Sequence, residues 1–440
     1  MPSDCLDRRQ FLLGSLLTVA AYSGSGPRVL ASDPSPLSPA EDVLLEDLER
    51  RACQYFLDHA DPRTGQVLDR ARADGSVHPQ QDIASIAATG FGLAALAVGA
   101  SRGWVTEQDA VARVRATLEF AAADLPHHHG WFYHFVNRRS GAREWRCEVS
   151  PIDTALFMAG ALTARQAFQH DDRIVGAART LYERIDFDWM LNGHPRLLAM
   201  GWKDESGFLD ARWDHYCELM VLYLLGIGSP THRLPAASWT AWSRPVTTYG
   251  PYRYISHADP LFVHQFSHAF VDFRGLQERE TGIRWFENSI AATKAHKAFC
   301  LDLSKEFPGY RDDVWGISAS DSQHGYVAWG GPPRLPGIDG SVVPCAAAGS
   351  LMFTPELSLP VVRALRERFG DRVYGRYGFV DAFNPNSAWT NPDVLGINLG
   401  ITLISAENLR SGRVWQWFMA NPEIRRALTL VGMVPAIARG

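Results

Sequence analysis

The sequence predicts an all-α fold in which helical hairpins form a ring, with long loops that build a cleft at one end. Three observations lead to this prediction. Apolar residues recur at helical spacing in roughly a dozen segments, alternating strand-like runs are scarce, and Gly-, Pro- and Trp-rich stretches separate the segments. The chain has 440 residues and no linker composition after residue 40, which favours one large domain over the two or three that length alone suggests.

The helical spacing first appears where Leu44, Leu48 and Phe56 line up on one face. Runs of small residues, such as those near Ala87 and Ala95, suit close packing between helices. The predicted helices cover residues 44–56, 83–100, 107–123, 152–168, 173–191, 216–225, 260–273, 283–303, 360–369, 397–408 and 422–431.

Residues 1–31 are expected to be a twin-arginine-type signal peptide. Arg8 and Arg9 precede an apolar run that is too short to span a membrane, and small residues around Ala31 suit cleavage. An ordinary secretory signal or a retained N-terminal anchor is the alternative. Residues 32–40 are expected to form a linker and residues 41–440 the single domain. We therefore predict a periplasmic protein that is not inserted in the membrane after cleavage.

Composition and cysteine spacing exclude several classes of protein. The net charge of −5 argues against nucleic-acid binding, which needs a basic surface for phosphates. Five of the six cysteines follow the signal, lie far apart and lack C-x-x-C spacing, so buried free thiols are expected. The 14 Trp, 13 Tyr and 22 Phe are an unusually high aromatic content that needs an explanation.

Glu148 is the first candidate for acid or base chemistry. It lies just before a predicted helix in which Ser150 is the expected N-cap, and Trp145 is close to it in the sequence. Asp153 falls in the first turn of that helix, where capping is the simpler interpretation. In this position Glu148 would face a cleft.

Glu218 is the second candidate. Asp214 and Glu218 are four residues apart, next to Trp213, and are expected to share one face of a helix that is otherwise apolar. A carboxylate on a buried helix needs a partner or takes a raised pKa, which suits a general acid. The alternative is a salt bridge to an arginine such as Arg212.

Three further segments supply candidates for substrate binding. His264 and His268 are four residues apart without the glutamate of a zinc-protease motif, so hydrogen bonds to sugar hydroxyls or to the core are expected rather than a metal. Trp315 and Asp321 lie in a long Gly-rich loop, where Asp321 could instead form an Asx turn.

The last segment places Asn398 and Glu407 in one predicted helix, where Glu407 with Arg410 is expected to form a polar cluster at the helix end. No dinucleotide fingerprint, phosphate loop, serine-hydrolase elbow or zinc motif occurs, so neither cofactor nor metal is expected. Carboxylates among many aromatic side chains in an exported protein favour a carbohydrate substrate, because rings stack on sugars and carboxylic acids protonate glycosidic oxygens.

Several motifs together resemble the bacterial glucoamylase-like domain family. They are IAATGFGL at 86–93, IDTAL at 152–156, GIGSPTH at 226–232, QFSH at 265–268, FENS at 286–289, YGFVDAFN at 377–384 and ENLRSG at 407–412. The resemblance covers essentially the whole chain after the signal. It implies an (α/α)6 barrel, kinship with the endo-β-1,2-glucanases of glycoside hydrolase family 144, and an inverting mechanism without metal.

By position, the resemblance places Glu148 and Glu218 where the family has cleft carboxylates. Two departures stand out. Asn398 replaces an aspartate of the family, and Asp321 lies in Ser-Asp-Ser-Gln where the family usually reads Cys-Asp-Gly-Pro. An amide at position 398 cannot act as a base.

The expected function is that of an exported glycoside hydrolase acting on a β-glucan, β-1,2-linked by resemblance. Glu218 or Glu148 would be the general acid, and the other carboxylate would activate water. Two alternatives stay open: a catalytically silent glucan-binding or glucan-assembly partner, suggested by Asn398, and another (α/α)-barrel enzyme such as a polysaccharide lyase or sugar epimerase.

Overall fold

A computed structural model describes residues 37–257 and 260–436. The expected signal peptide at 1–31 and most of the expected linker lie outside the described residues. The first helix starts at Pro39, two residues before the expected domain boundary at 41. Ser38 sets this start, because its hydroxyl accepts the Glu41 N–H while the Glu41 carboxylate accepts the Ser38 N–H.

The fold is all-α, as predicted, and the described residues contain fourteen α-helices. They are α1 Pro39–His59, α2 Ile86–Arg102, α3 Glu107–Ala123, α4 Pro151–Ala167, α5 Asp172–Arg184, α6 Phe187–Met190, α7 Met220–Gly228, α8 Phe266–Phe270, α9 Trp285–Leu303, α10 Pro344–Ala348, α11 Pro355–Phe369, α12 Gly396–Arg410, α13 Arg413–Met419 and α14 Pro422–Leu430.

The loops between helices are tied by strands of two to four residues, too short to produce a visible alternation in the sequence. They are β1 Arg70–Arg72, β2 Ile83–Ser85, β3 His127–His128, β4 Trp131–Phe132, β5 Phe135–Asn137, β6 Trp202–Lys203, β7 Gly207–Phe208, β8 Val246–Tyr249, β9 Tyr252–Ile255, β10 Leu276–Glu278, β11 Ala319–Ser322, β12 Gly325–Ala328, β13 Tyr374–Gly375, β14 Gly378–Phe379, β15 Asp393–Leu395 and β16 Met433–Pro435. Each strand has one antiparallel partner, and β1–β15, β2–β5 and β10–β16 join distant parts of the chain.

Most predicted helices are present, and α3 has the predicted bounds. Other predictions were wrong in detail. The helix expected at 173–191 is divided into α5 and α6, and the one expected at 360–369 starts at Pro355. The helix expected at 216–225 starts only at Met220, and the one expected at 260–273 is a 3-10 turn followed by the short α8. Helices α10 and α13, of five and seven residues, were not predicted because they are too short to show a period.

Helices α2 and α4 pack closely through two glycines. A Cβ on Gly160 would overlap the carbonyl oxygen of Gly90, and a Cβ on Gly90 would overlap the backbone at Leu156. Helix α2 also contacts α12, α4 contacts α7, and α10 contacts α12. The Gln265 side chain, immediately before α8, donates to the carbonyl oxygen of Ala346 in α10 at 2.9 Å.

The residues that precede α2, α4 and α12 are joined by backbone hydrogen bonds. The Ile86 N–H donates to His134 O at 3.2 Å, and the His134 N–H donates to Glu148 O, just before α4, at 3.0 Å. The Asp69 N–H donates to Ile83 O at 3.0 Å, and the Gly396 N–H donates to Asp69 O at 2.8 Å. The starts of these three helices therefore lie at the same end of the molecule.

All five cysteines after residue 31 are buried and free, as predicted. No helix within residues 37–257 or 260–436 has the length and apolar character needed to cross a membrane.

Arg410, in the last turn of α12, binds three carboxylates of α1. Its guanidinium lies 2.8 Å from Asp42, 2.7 Å from Glu46 and 2.9 Å from the fully buried Glu49. Glu407 does not pair with Arg410, as had been expected, but with Arg102 of α2 at 2.7 Å. This network fastens α1 to the C-terminal end of α12.

We expect Arg410→Ala to lower the free energy of unfolding by about 3–5 kcal/mol, because it leaves carboxylates without their buried cation. Urea or thermal unfolding measures the change. Arg173→Ala is the control, since Arg173 forms an exposed pair with Glu119 and its loss should cost less than about 1 kcal/mol. Equal changes in the two variants would contradict this account.

Candidate active site

Polar side chains from distant segments gather around the starts of α4 and α12 in two clusters. The Glu148 cluster consists of His134, Glu148, Ser150 and Asp153. The Asp381 cluster consists of Arg70, Asp321, Asp381, Asn391 and Asn398. Strand β2 lies between them, because Asp69, next to Arg70, bonds to Ile83 at its start, and His134 bonds to Ile86 just after its end.

In the Glu148 cluster an imidazole lies between two carboxylates. His134 Nδ1 is 3.2 Å from Glu148 Oε1, and His134 Nε2 is 3.7 Å from Asp153 Oδ1. The predicted capping is confirmed, because the Ser150 Oγ accepts the Asp153 N–H and Pro151 occupies the first turn of α4. The Ser150 hydroxyl also donates to the Asp153 carboxylate. All four side chains are buried.

Trp145 provides an exposed aromatic surface beside the Glu148 cluster. The Trp145 side chain is 39% exposed. Among the described residues, no other Trp, Tyr or Phe side chain is as exposed. Its ring lies 4.9 Å from Phe135, which stacks on His134 at 3.9 Å.

The backbone at Trp145 is strained. Trp145 and Arg146 have φ values of 52° and 50°, a left-handed conformation that is costly for residues other than glycine. Arg143 holds this turn by donating to the carbonyl oxygens of Arg146 at 2.8 Å and Cys147 at 2.6 Å. Strain of this kind persists where surrounding contacts impose it, and it is frequent at functional sites.

Glu218 is buried two residues before α7. Its carbonyl oxygen accepts the Ser267 hydroxyl at 2.7 Å, and the Ser267 Oγ accepts the Val221 N–H at 3.0 Å. The prediction that Asp214 and Glu218 share a helical face was wrong, because both precede the helix. The Asp214 side chain is 45% exposed and bonds to His215 Nδ1 at 2.6 Å.

In the Asp381 cluster two carboxylates share donors. Asp381 Oδ1 accepts Asn398 Nδ2 at 2.7 Å, and Asp381 Oδ2 accepts the Asp321 N–H at 2.9 Å. Arg70 Nη1 lies 2.7 Å from Asp321 Oδ2. The Asn391 amide donates to Asp321 Oδ2 at 3.2 Å and to Asp381 Oδ2 at 3.4 Å. Burial, reinforced by the charge of Asp321, raises the pKa of Asp381 to about 7.

Asp393 is a neighbouring carboxylate with partners of its own. Arg72 Nη1 is 2.7 Å and His78 Nε2 is 3.1 Å from its oxygens. Burial alone would raise the pKa of Asp393. The hydrogen bond with His78 and the positive charges of the neighbouring side chains outweigh burial and lower the pKa. Its surroundings therefore favour a structural ion pair.

Four residues predicted to bind substrate lie in the interior. Trp213 and Trp315 are fully buried, and so is Glu407, in its pair with Arg102 at the opposite end of α12. His268 is also fully buried, with Nε2 3.1 Å from Ser289 Oγ, and burial lowers its pKa to about 3. These positions correct the expectation that they face a cleft.

Four members of the two clusters were not predicted from the sequence: His134, Arg70, Asp381 and Asn391. Asp381 lies in the YGFVDAFN motif, where its apolar neighbours could have marked it as a buried carboxylate. Arg70, His134 and Asn391 lie in loops or short strands, and only tertiary contacts bring them into place.

Two groups in the described chain have ligand atoms close enough to hold a metal ion: His134, Glu148 and Asp153, and the more exposed Asp186, Asp188 and His232. In the first group the carboxylates face opposite nitrogens of one imidazole. A metal engages only one ring nitrogen, whereas His134 contacts Glu148 by a hydrogen bond on Nδ1 and lies 3.7 Å from Asp153 on Nε2. In the second group Asp186 is engaged as the cap of α6.

The helical fold is similar to that of proteins described as glucoamylases. Residues 210–422 match a family model described as "Putative glucoamylase". A solved structure of the same description from Bacteroides caccae superposes with a TM-score of 0.83 at 29% identity, covering 90% of this chain and all of that one. The resemblance predicted from the sequence is confirmed for residues 210–422, which match the glucoamylase-like family model.

Two similar proteins have named activities. An endo-β-1,2-glucanase from Chitinophaga pinensis, solved with sophorotriose and glucose, has a TM-score of 0.82 and 26% identity over 90% of this chain and 99% of that one. An exo-β-1,2-glucooligosaccharide sophorohydrolase from Parabacteroides distasonis is 24% identical over 88% of this chain. The chain spans 57% of the length of that curated relative.

The raised pKa of Asp381 predicts a pH-dependent stability. Because the folded protein binds this proton more tightly than the unfolded chain, with its ordinary pKa of 3.8, the stabilisation is complete below that value and is lost as pH rises through about 7. Asp381→Asn removes this dependence. The difference in free energy of unfolding, variant minus wild type, should therefore increase by up to about 1.4 kcal/mol per pH unit between these two pKa values. Urea unfolding at several pH values measures the difference, and a constant difference would contradict the assignment.

Proposed function

We propose that this protein is an exported glycoside hydrolase that cleaves a β-glucan, with β-1,2-linked chains as the substrate class. The observation that carries the proposal is the pair of buried carboxylates, Glu148 and Glu218, just before the neighbouring helices α4 and α7, with the exposed ring of Trp145 beside the first. The β-1,2-glucan activities of the similar proteins support the substrate class.

The fold we propose in full is an (α/α)6 barrel with a substrate cleft at one end. The contacts of α2 with α4 and α12, of α4 with α7 and of α10 with α12 support an inner ring of helices. The cleft would lie where these helices start, because Glu148, Glu218 and Asn398 all lie at or just before helix N-termini.

The reaction we propose is inverting hydrolysis. Glu218 or Glu148 protonates the glycosidic oxygen, while a second carboxylate at the same end of the molecule removes a proton from the attacking water. Both glutamates are buried, which limits their contact with bulk water. Trp145 would hold a sugar ring by stacking.

The export we propose rests on residues 1–31 alone. The twin arginines Arg8 and Arg9 before a short apolar run suit a route that carries folded proteins to the periplasm.

One observation favours a second candidate, a glucan-binding protein without catalysis. Asn398 stands where the related motif has an aspartate, and an amide cannot accept the proton of a water molecule. Such a protein would bind β-1,2-glucan in calorimetry and release no product.

Glu218→Gln tests the proposed acid. We expect the rate of reducing-end release from linear β-1,2-glucan to fall at least about 100-fold, since the amide keeps the shape and loses the proton. Glu306→Gln is the matched control, because Glu306 forms an exposed pair with Arg334, and it should keep wild-type activity. A wild type that releases nothing from any linear or cyclic glucan would refute the proposed function.

Trp145→Ala tests the proposed stacking surface. Loss of one aromatic face should raise KM for β-1,2-glucooligosaccharides about fivefold to tenfold and leave kcat nearly unchanged. Trp145→Phe keeps a flat ring and should retain most of the affinity. Unchanged KM in the alanine variant would exclude Trp145 from substrate binding.

A further inference from the structure

The Asp381 cluster is built from four separate parts of the chain around two carboxylates. Arg70 comes from β1, Asp321 from β11, Asp381 and Asn391 from the segment before β15, and Asn398 from the first turn of α12. Of the two carboxylates, Asp381 is buried, while the Asp321 side chain is 15% exposed and its partner Arg70 is 20% exposed. Asp321 is therefore the more accessible of the two carboxylates.

Three contacts fix Asp321 from both sides. Arg70 Nη1 lies 2.7 Å from its Oδ2, and Asn391 donates to the same oxygen at 3.2 Å. The backbone is held as well, because the Asp321 N–H donates to Asp381 Oδ2 at 2.9 Å. A carboxylate held in this way keeps its second oxygen, Oδ1, in a defined direction.

Asn398 is the last link of the chain. Its amide Nδ2 donates to Asp381 Oδ1 at 2.7 Å, so that Asp381 joins Asn398 on one oxygen to Asp321 on the other. An aspartate at position 398 would place a second carboxylate against Asp381 and repel it. The asparagine supplies the donor for this contact.

The Asp381 cluster and the Glu148 cluster lie on opposite sides of strand β2. Strand β5, next to His134, pairs with β2 on one side, and Leu68, close to Arg70, bridges to Ala84 of β2 on the other. Inverting glycosidases hold their two carboxyl groups roughly 6.5–9.5 Å apart to leave room for the attacking water. Glu148 itself is engaged by His134 on Oε1, which leaves the second carboxylate of the reaction to be found elsewhere.

We propose that Asp321 is the water-activating base of the reaction and that Asp381 is the positioning residue that holds it, itself fixed by Asn398. This inference rests on the proposed hydrolase function and replaces the expectation that the second glutamate is the base. Water attacks the anomeric carbon, and its proton passes to Asp321. The glycosidic C–O bond breaks, and the acid glutamate gives its proton to the leaving oxygen. Solvent then restores both protonation states.

Five other charged or titratable groups lie around Asp321 and Asp381. They are Arg70, Asp69, Asp393, Arg72 and His78. Arg70 is shared with Asp69, whereas Arg72 and His78 are committed to Asp393. Among these groups, Arg70 is therefore the cation that contacts Asp321.

The decisive experiment compares D321N, D381N, N398D and the double variant D381N/N398D on linear β-1,2-glucooligosaccharides. D321N should lower kcat at least about 100-fold with little change in KM. D381N should lower kcat at least about tenfold. An amide has only one acceptor oxygen, so its NH2 group must face a second donor, either the Asp321 N–H or the Asn398 amide. N398D should lower kcat too.

The double variant is the sharpest test. Its amide at position 381 accepts the Asp321 N–H and donates to the carboxylate at position 398, so both hydrogen bonds return. The kcat of the double variant should be at least about tenfold higher than that of D381N, and its pH profile of kcat/KM should match that of the wild type. D272N, in an exposed pair with Arg274, is the control and should match the wild type.

The results separate the inference from the proposed function. D321N with kcat within about threefold of wild type, or a folded double variant no better than D381N, would overturn the inference while leaving hydrolysis intact. Where the double variant does not fold, D321N decides. If the wild type cleaves no glucan, the proposed function fails. Infrared titration then tests the carboxylate contact, since a carboxyl band that titrates near neutral pH should vanish in D381N.

Discussion

The close contact between α2 and α4 is the constraint on which the rest of the structure depends. At Gly90 and Gly160 the two backbones approach so closely that no side chain fits between them. Because the helices are locked in register, the residues before them are brought together, and His134 meets both Glu148 and the first residue of α2. A methyl group at either glycine would separate the helices and with them the polar cluster.

The two polar clusters of the candidate site are held in place in different ways. Glu148 and Asp153 are placed by a helix cap, a local device that Ser150 and Pro151 encode within a few residues. Asp381 and Asp321 are placed by contacts with each other and with Asn398, across 60 and 17 residues. The first arrangement survives small changes elsewhere, whereas the second requires the whole fold.

This difference explains what the sequence could predict. Long helices such as α3 follow from spacing alone, and Glu148 and Glu218 could be chosen because they precede apolar helical runs. The tryptophans could not be divided between core and surface, since Trp145 and Trp213 look alike in the sequence and only packing exposes one and buries the other. The helix start was predicted at Tyr216 rather than Met220 because Tyr216, Cys217 and Leu219 extend the apolar run of the helix toward the N-terminus.

The chain joins its beginning to its end. Strand β1 pairs with β15, and Arg72 and Asp393, which bond across this pair, are 321 residues apart. Such contacts cannot form until nearly the entire polypeptide has left the ribosome, so the N-terminal helix must wait for its partner. A protein with this topology completes folding only when synthesis is nearly finished.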